Sequence, residues 1–142
     1  MQMKKINSYL LFSIILVFLN ACAGTGSKYL SQNEIQSNNS SNKVFIYREK
    51  GLGGSGNVPT VFYNNKKIGK IGIGEYLSTS IITDTNNIEV KTTGLMGVGM
   101  KGDIKTFKNN SNKYFLVSFD QGLLTAGWKI IEISQSQFES YF

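Results

Sequence analysis

The chain contains no histidine, one cysteine and one proline in 142 residues. Those absences exclude several chemistries before any motif is considered. Serine- and cysteine-based triads need an imidazole as general base, and common zinc sites draw on histidine or cysteine ligands. Neither can be assembled here. A single cysteine also forbids an intrachain disulfide, so the apolar core alone must hold the fold. Carboxylate pairs can do acid–base work without histidine, yet no two of the nine Asp/Glu residues stand in a recognisable motif. Composition therefore points to a non-catalytic protein with no metal and no cofactor.

Long apolar runs are also missing. The longest, Tyr9 to Leu19, is eleven residues without a charge. A bilayer core of ~30 Å needs about 20 residues of helix, so this run is too short to span it. Ahead of it, Lys4 and Lys5 stand without any acid, and small residues follow it. A basic start, a short apolar stretch and a small-residue exit are the pattern of a secretory signal peptide. The exit itself, Leu19-Asn20-Ala21-Cys22, resembles a bacterial lipobox, with leucine three places before the cysteine and a small residue just before it. Asn20 departs from the usual small apolar residue. The resemblance implies cleavage of residues 1–21 and lipid attachment at Cys22, with acyl chains on the sulfur and on the new amino group. Each buried methylene contributes about 0.8 kcal/mol, so one chain binds marginally and two or three hold stably. Ala23 lacks the aspartate that keeps many Gram-negative lipoproteins at the inner membrane. An outer-membrane location is therefore expected if the organism is Gram-negative.

Charge excludes another class. The whole chain carries +6, and loss of Lys4 and Lys5 leaves 13 of the 15 Lys/Arg against 9 Asp/Glu, a net of +4. The lysines are dispersed, and at a Debye length of about 8 Å such a distribution focuses no field. Nothing clusters arginine with aromatics, so nucleic acid is not expected as a partner.

Residues 22–42 are rich in Ser, Asn, Gln and Gly and read as a flexible tether. Removing this tether is expected to leave the stability of the rest nearly unchanged. Residues 43–142 then form the domain. Its pattern is short β-branched and aromatic runs punctuated by Gly and Asn: Val44–Arg48, Thr60–Tyr63, Lys67–Ile71, Tyr76–Ile82, Ile88–Thr92, Ile104–Phe107, Lys113–Phe119 and Trp128–Ile133. Asn64-Asn65 between the second and third runs predicts a tight hairpin, because Asn tolerates the positive φ of a primed turn. Helical spacing occurs only from Ser136 to Phe142, with Ser136 and Glu139 placed as a capping box. The expected fold is all-β, an antiparallel β-sandwich of seven to eight strands with a short C-terminal helical turn.

Val44-Phe45-Ile46-Tyr47-Arg48, then Val61-Phe62-Tyr63-Asn64-Asn65-Lys66-Lys67-Ile68-Gly69, Tyr76 and Lys113-Tyr114-Phe115-Leu116-Val117 also resemble a family of small bacterial lipoproteins of uncharacterised function. That family opens with a V-x-I-Y-R strand, continues through a D-G-K-x-I-G hairpin and has a Tyr-rich strand near its end. The resemblance covers roughly Lys43 to Ile133. It implies a β-sandwich in the cell envelope and no particular activity. A P-P-G-x-H turn common in the family is replaced here by Thr83-Asp84-Thr85-Asn86-Asn87, so no role for that histidine carries over.

Gly97-Val98-Gly99-Met100-Lys101-Gly102 is a literal G-x-G-x-x-G. A dinucleotide site needs a helix N-terminus directly after the glycines, whereas Asp103–Phe107 alternates as a strand. The motif reads as an inter-strand loop. Strand alternation is more informative. If each strand opposes the last, connections one, three, five and seven share one end. They are Gly-rich and carry Leu95, Met96, Val98, Met100, Leu123 and Leu124, a candidate binding rim. Connections two, four and six are short and Asn-rich. The first strand starts at the Asn-rich end, so the tether is expected to leave there. The apolar end then points away from the membrane unless the tether folds back. The rim could cap the core, meet an envelope protein or polymer, or touch lipid. The expected function is an envelope lipoprotein with a binding or structural domain. The alternative is a small-ligand or lipid carrier whose mouth is the Gly-rich end.

Overall fold

The computed structural model describes residues 24–28, 30, 42–51, 53–93, 100–122 and 125–142. Among them are eight strands: β1 (Lys43–Arg48), β2 (Thr60–Tyr63), β3 (Lys66–Lys70), β4 (Tyr76–Ser80), β5 (Thr85–Lys91), β6 (Asp103–Lys108), β7 (Lys113–Gln121) and β8 (Ala126–Ile133). One short helix, α1 (Gln135–Glu139), follows. The strands form two four-stranded sheets, ordered β4-β1-β7-β8 and β3-β2-β5-β6. All eight expected strands are present, with ends displaced by three residues at most. The largest displacement is at β5, which starts at Thr85 rather than Ile88. Asn86 can join the strand there because the Tyr63 hydroxyl donates to its buried side-chain oxygen.

The β2–β3 hairpin turns on Asn64 and Asn65 at φ 47° and 64°, the pair of positive values that a primed turn requires. One expectation is corrected in this sheet arrangement. The fold is not antiparallel throughout, because β1 pairs parallel with β7, Val44 opposite Lys113 and Arg48 opposite Val117. Both are odd-numbered strands and run the same way, so the chain joins them without breaking alternation. The signal lay in β1 itself. Val44 to Arg48 are buried without interruption, the run expected of a central strand covered on both faces.

One face of β1 supplies Val44 and Ile46 to a cluster that also takes Val61, Ile88 and Val90 from the second sheet and Phe115, Val117, Trp128 and Ile130 from the first. The other face supplies Phe45 and Tyr47 to an aromatic cluster with Tyr76, Tyr114, Leu116 and Phe138. Five residues cannot sustain a helix alone. α1 persists because Phe138 is wholly buried there, worth about 1.5–3 kcal/mol of transfer free energy. Its capping box is formed by Ser134 and Gln137, two residues ahead of the expected Ser136 and Glu139. That shift is what turns Phe138 onto Phe45 and Tyr114.

The free-tether expectation is corrected for residues 24–28 and 30. Thr25 N donates to Lys70 O at 2.8 Å, and Ser27 and Tyr76 exchange backbone hydrogen bonds of 2.9 and 2.8 Å. Gly26 N donates to Glu75 Oε2 at 3.1 Å, and Leu30 packs on the aromatic cluster. β4 lies at an edge of its sheet, and the Ser27–Tyr76 bridge satisfies backbone groups that such an edge leaves open.

Candidate functional site

Arg48 shares the inward face of β1 with Val44 and Ile46, as strand alternation dictates, and is only 2% exposed. A buried cation is tolerated when its donors are met. Its Nη1 donates to Asn57 O at 2.7 Å and Ile71 O at 3.2 Å, and Nη2 donates to Gly54 O at 2.8 Å. Its guanidinium carbon lies 4.8 Å from the Trp128 ring centre, within cation–π range. Trp128 Nε1 in turn donates to Thr92 Oγ1 at 2.8 Å. Lys101 N donates to Ala126 O at 3.1 Å and Lys101 O accepts from Trp128 N at 2.9 Å.

These bonds join the connections after β1, β3 and β5 to the start of β8 at one end of the domain. Burial pulls the Arg48 guanidinium below its ordinary pKa, and the nearby Glu75 carboxylate opposes that shift. The Glu75 carboxylate itself accepts from Gly72 N at 2.8 Å and from Gly26 N. The charge of Arg48 is therefore met mainly by carbonyl dipoles. Chemically the arrangement is a plug: Arg48 and Trp128 close the core where the Gly-rich connections converge.

Of the candidate rim, Met100 is described and half-buried, directly before Lys101. Leu95, Met96, Val98, Leu123 and Leu124 lie outside the described residues, as does Cys22. The G-x-G-x-x-G ends in β6, a strand and not a helix. A cleft of about 280 Å³ opens here, lined by Lys101, Asp103, Asp120, Trp128 and Lys129 among others. Its carboxylates are already engaged. Asp103 accepts from Ile104 N at 2.9 Å and Ile130 N at 2.8 Å. Asp120 pairs with Lys129 at 2.6 Å and, by hydrogen bonding, raises the Lys129 pKa.

The opposite end is built from amides. Asn42 Nδ2 donates to Asn109 Oδ1, and Lys43 N to Asn112 Oδ1, both at 2.8 Å. Asn109 N reaches Asp84 O at 2.9 Å, and Asn87 N reaches Asn64 Oδ1 at 2.8 Å. Beside this network lies a cleft of about 630 Å³ lined by Asn42, Asn110, Asn112, Tyr114, Glu132 and Gln135 among others. Burial raises the Tyr114 phenol pKa.

Sequence reasoning missed two of these features. It did not single out Arg48, although its parity with Val44 and Ile46 was legible. It treated Asn109-Asn110-Ser111-Asn112 as a connector and had no signal for the cleft, which needs Glu132 and Gln135 from a distant part of the chain. Fold and site together define an all-β domain of two four-stranded sheets, plugged at one end and amide-lined at the other. No family model, curated protein or solved structure matches this chain.

Proposed function

We propose that this chain is a lipid-anchored lipoprotein of the bacterial envelope, whose two sheets pack as a non-catalytic β-sandwich that binds or braces an envelope protein or polymer. The observation that carries the reading is the run from Lys4 to Cys22: a basic start, eleven uncharged residues and Leu19-Asn20-Ala21-Cys22. The larger core cluster, fed by both sheets, supports the sandwich. The resemblance to small envelope lipoproteins points the same way. Ala23 at the second mature position favours the outer membrane in a Gram-negative cell. For partner binding, the support is the amide-lined cleft, whose amide donors and acceptors, beside the Lys113–Glu132 ion pair, suit a polar surface. A carrier would need an open mouth at the Gly-rich end, where Arg48 and Trp128 stand packed together.

The test is metabolic labelling with an alkynyl fatty acid in cells expressing the wild-type chain or Cys22→Ala. Label is expected on the wild type alone, with the variant left uncleaved and released from the membrane. Label on Cys22→Ala, or none on the wild type, overturns the proposal.

A further inference from the structure

We infer that the Gly-rich end of the domain faces the bilayer, held there by the docked segment 24–28, and that Lys28, Lys50, Ile73 and Phe142 form the surface that meets phospholipid. This rests on the lipoprotein reading above and adds an orientation to it. Gly24 is packed so closely that an added side chain would run into the Glu75 carboxylate and come within 2.5 Å of Gly72 N. Cys22 precedes Gly24 by two residues, and two extended residues reach at most ~7 Å. A lipid on Cys22 therefore starts beside Gly72–Glu75.

That connection belongs to the Arg48 end. Gly74 N donates to Arg48 O at 3.0 Å, and Arg48 N to Glu75 O at 2.9 Å. Lys43, at the other end of β1, is bonded instead to Asn112. The tether thus folds back, and the orientation expected from the start of β1 is reversed.

The surface beside the anchor point fits a lipid interface. Ile73 is 37% exposed and Phe142 46% exposed. Lys28 and Lys50 line a cleft of about 220 Å³ with Leu30, Gly74, Tyr141 and Phe142, and the Lys50 stem lies over Gly74. Apolar and aromatic side chains bordered by lysines are what a headgroup–acyl boundary accommodates, and an anionic leaflet attracts the ammonium groups. Glu75, the acid nearest the anchor, is occupied by the Gly26 and Gly72 amides. Glu49 is exposed beside Lys50, and it and Glu75 are the acids that work against this attraction. The amide-lined cleft at the opposite end then faces away from the membrane, open to a partner.

The experiment uses the full lipidated chain in vesicles of phosphatidylethanolamine and phosphatidylglycerol carrying a headgroup quencher. A fluorophore is placed at Ile73→Cys or at Ser111→Cys, and acylation of Cys22 is verified by mass. Loss of most emission at position 73 with none at 111 is expected. Thr25→Pro removes the bonds to Lys70 outside both core clusters. It should leave the circular dichroism unchanged and abolish the difference between the two positions. Equal quenching at both positions, stronger quenching at 111, or a difference that survives Thr25→Pro overturns the orientation while leaving the lipoprotein reading intact. An unacylated Cys22 overturns both.

Discussion

The Arg48 guanidinium carbon stands 4.8 Å from the centre of the Trp128 ring, and through that stack one strand terminus holds three connections together. Removing the cation strands the carbonyls of Asn57 and Ile71, which accept from it, while Gly54 O loses one of two donors and keeps Asn57 N. Each buried acceptor left unmet costs about 1–3 kcal/mol. Arg48→Met should therefore lose about 3 kcal/mol or more in urea denaturation. Lysine keeps the charge but lacks the planar fork that reaches several carbonyls and stacks on indole. Arg48→Lys should lose about 2 kcal/mol by the same carbonyl accounting. A lysine variant as stable as the wild type would refute the plug.

Tyr47 carries a hydroxyl that is buried with no hydrogen-bond partner among the described residues. Deleting an unmet buried polar group is neutral to stabilising, so Tyr47→Phe should melt at or above the wild-type midpoint. Burial, then Tyr141 and Glu49, raise the Tyr47 phenol above its ordinary value of 10.0. An acid whose folded pKa is raised keeps its full contribution below the unfolded pKa and loses it as pH rises through the folded one. Thermal midpoints should hold below pH 10 and fall above it. The fall should be shallower in Tyr47→Phe, with Tyr114, raised likewise, supplying the remainder. Parallel pH profiles for the two proteins would exclude this linkage.

The strands were legible because β-branched and aromatic runs alternate with Gly and Asn, and because Asn64-Asn65 names its own turn. The gathering of alternate connections at each end followed from direction alone. What stayed hidden depends on pairing between distant residues. No local pattern tells Val44 that it will lie beside Lys113, nor Ser27 that it will bridge Tyr76. Low apolar content made residues 24–28 look like a free linker, but their docking is through backbone hydrogen bonds, which composition does not encode. The helix cap moved from Ser136 to Ser134 for a similar reason, since both serines suit a cap and only the burial of Phe138 selects between them.

Gly54 sits at φ +65°, and a methyl there would lie 2.8 Å from Phe119 Cγ. Phe119 packs edge-on to Trp128 at 4.9 Å, so it cannot retreat without disturbing the plug. Left-handed backbone costs an L-residue about 1–2 kcal/mol, and the clash adds to that. Gly56, two residues on, has nothing within 4 Å of the same added methyl. An alanine at an unstrained site stabilises by about 0.4–1 kcal/mol through the unfolded chain. Gly54→Ala should therefore fall in denaturant midpoint while Gly56→Ala stays level or rises. Equal effects at both positions would show that this loop does not press on Phe119.

The segment 24–28 makes the last prediction. If it were a free linker, a chain beginning at Asn42 would melt with one beginning at Gly24. Instead Thr25 and Ser27 hydrogen-bond to Lys70 and Tyr76, and Leu30 covers part of the aromatic cluster that includes Tyr47 and Phe138. Each such hydrogen bond contributes about 0.5–1.5 kcal/mol net, against the entropy of ordering a few residues at about 1–2 kcal/mol each. The balance is small, and Leu30 makes it favourable by covering apolar surface that would otherwise meet water. A net of 1 kcal/mol moves the midpoint of a domain this size by about 4–8 °C. The shorter chain should melt lower by about that amount, and the Ser27-bonded amide of Tyr76 should lose hydrogen-exchange protection before the amides of β1. Coincident melts with undiminished protection at Tyr76 would return residues 24–28 to the role of a linker and remove the support for a membrane-facing Gly-rich end.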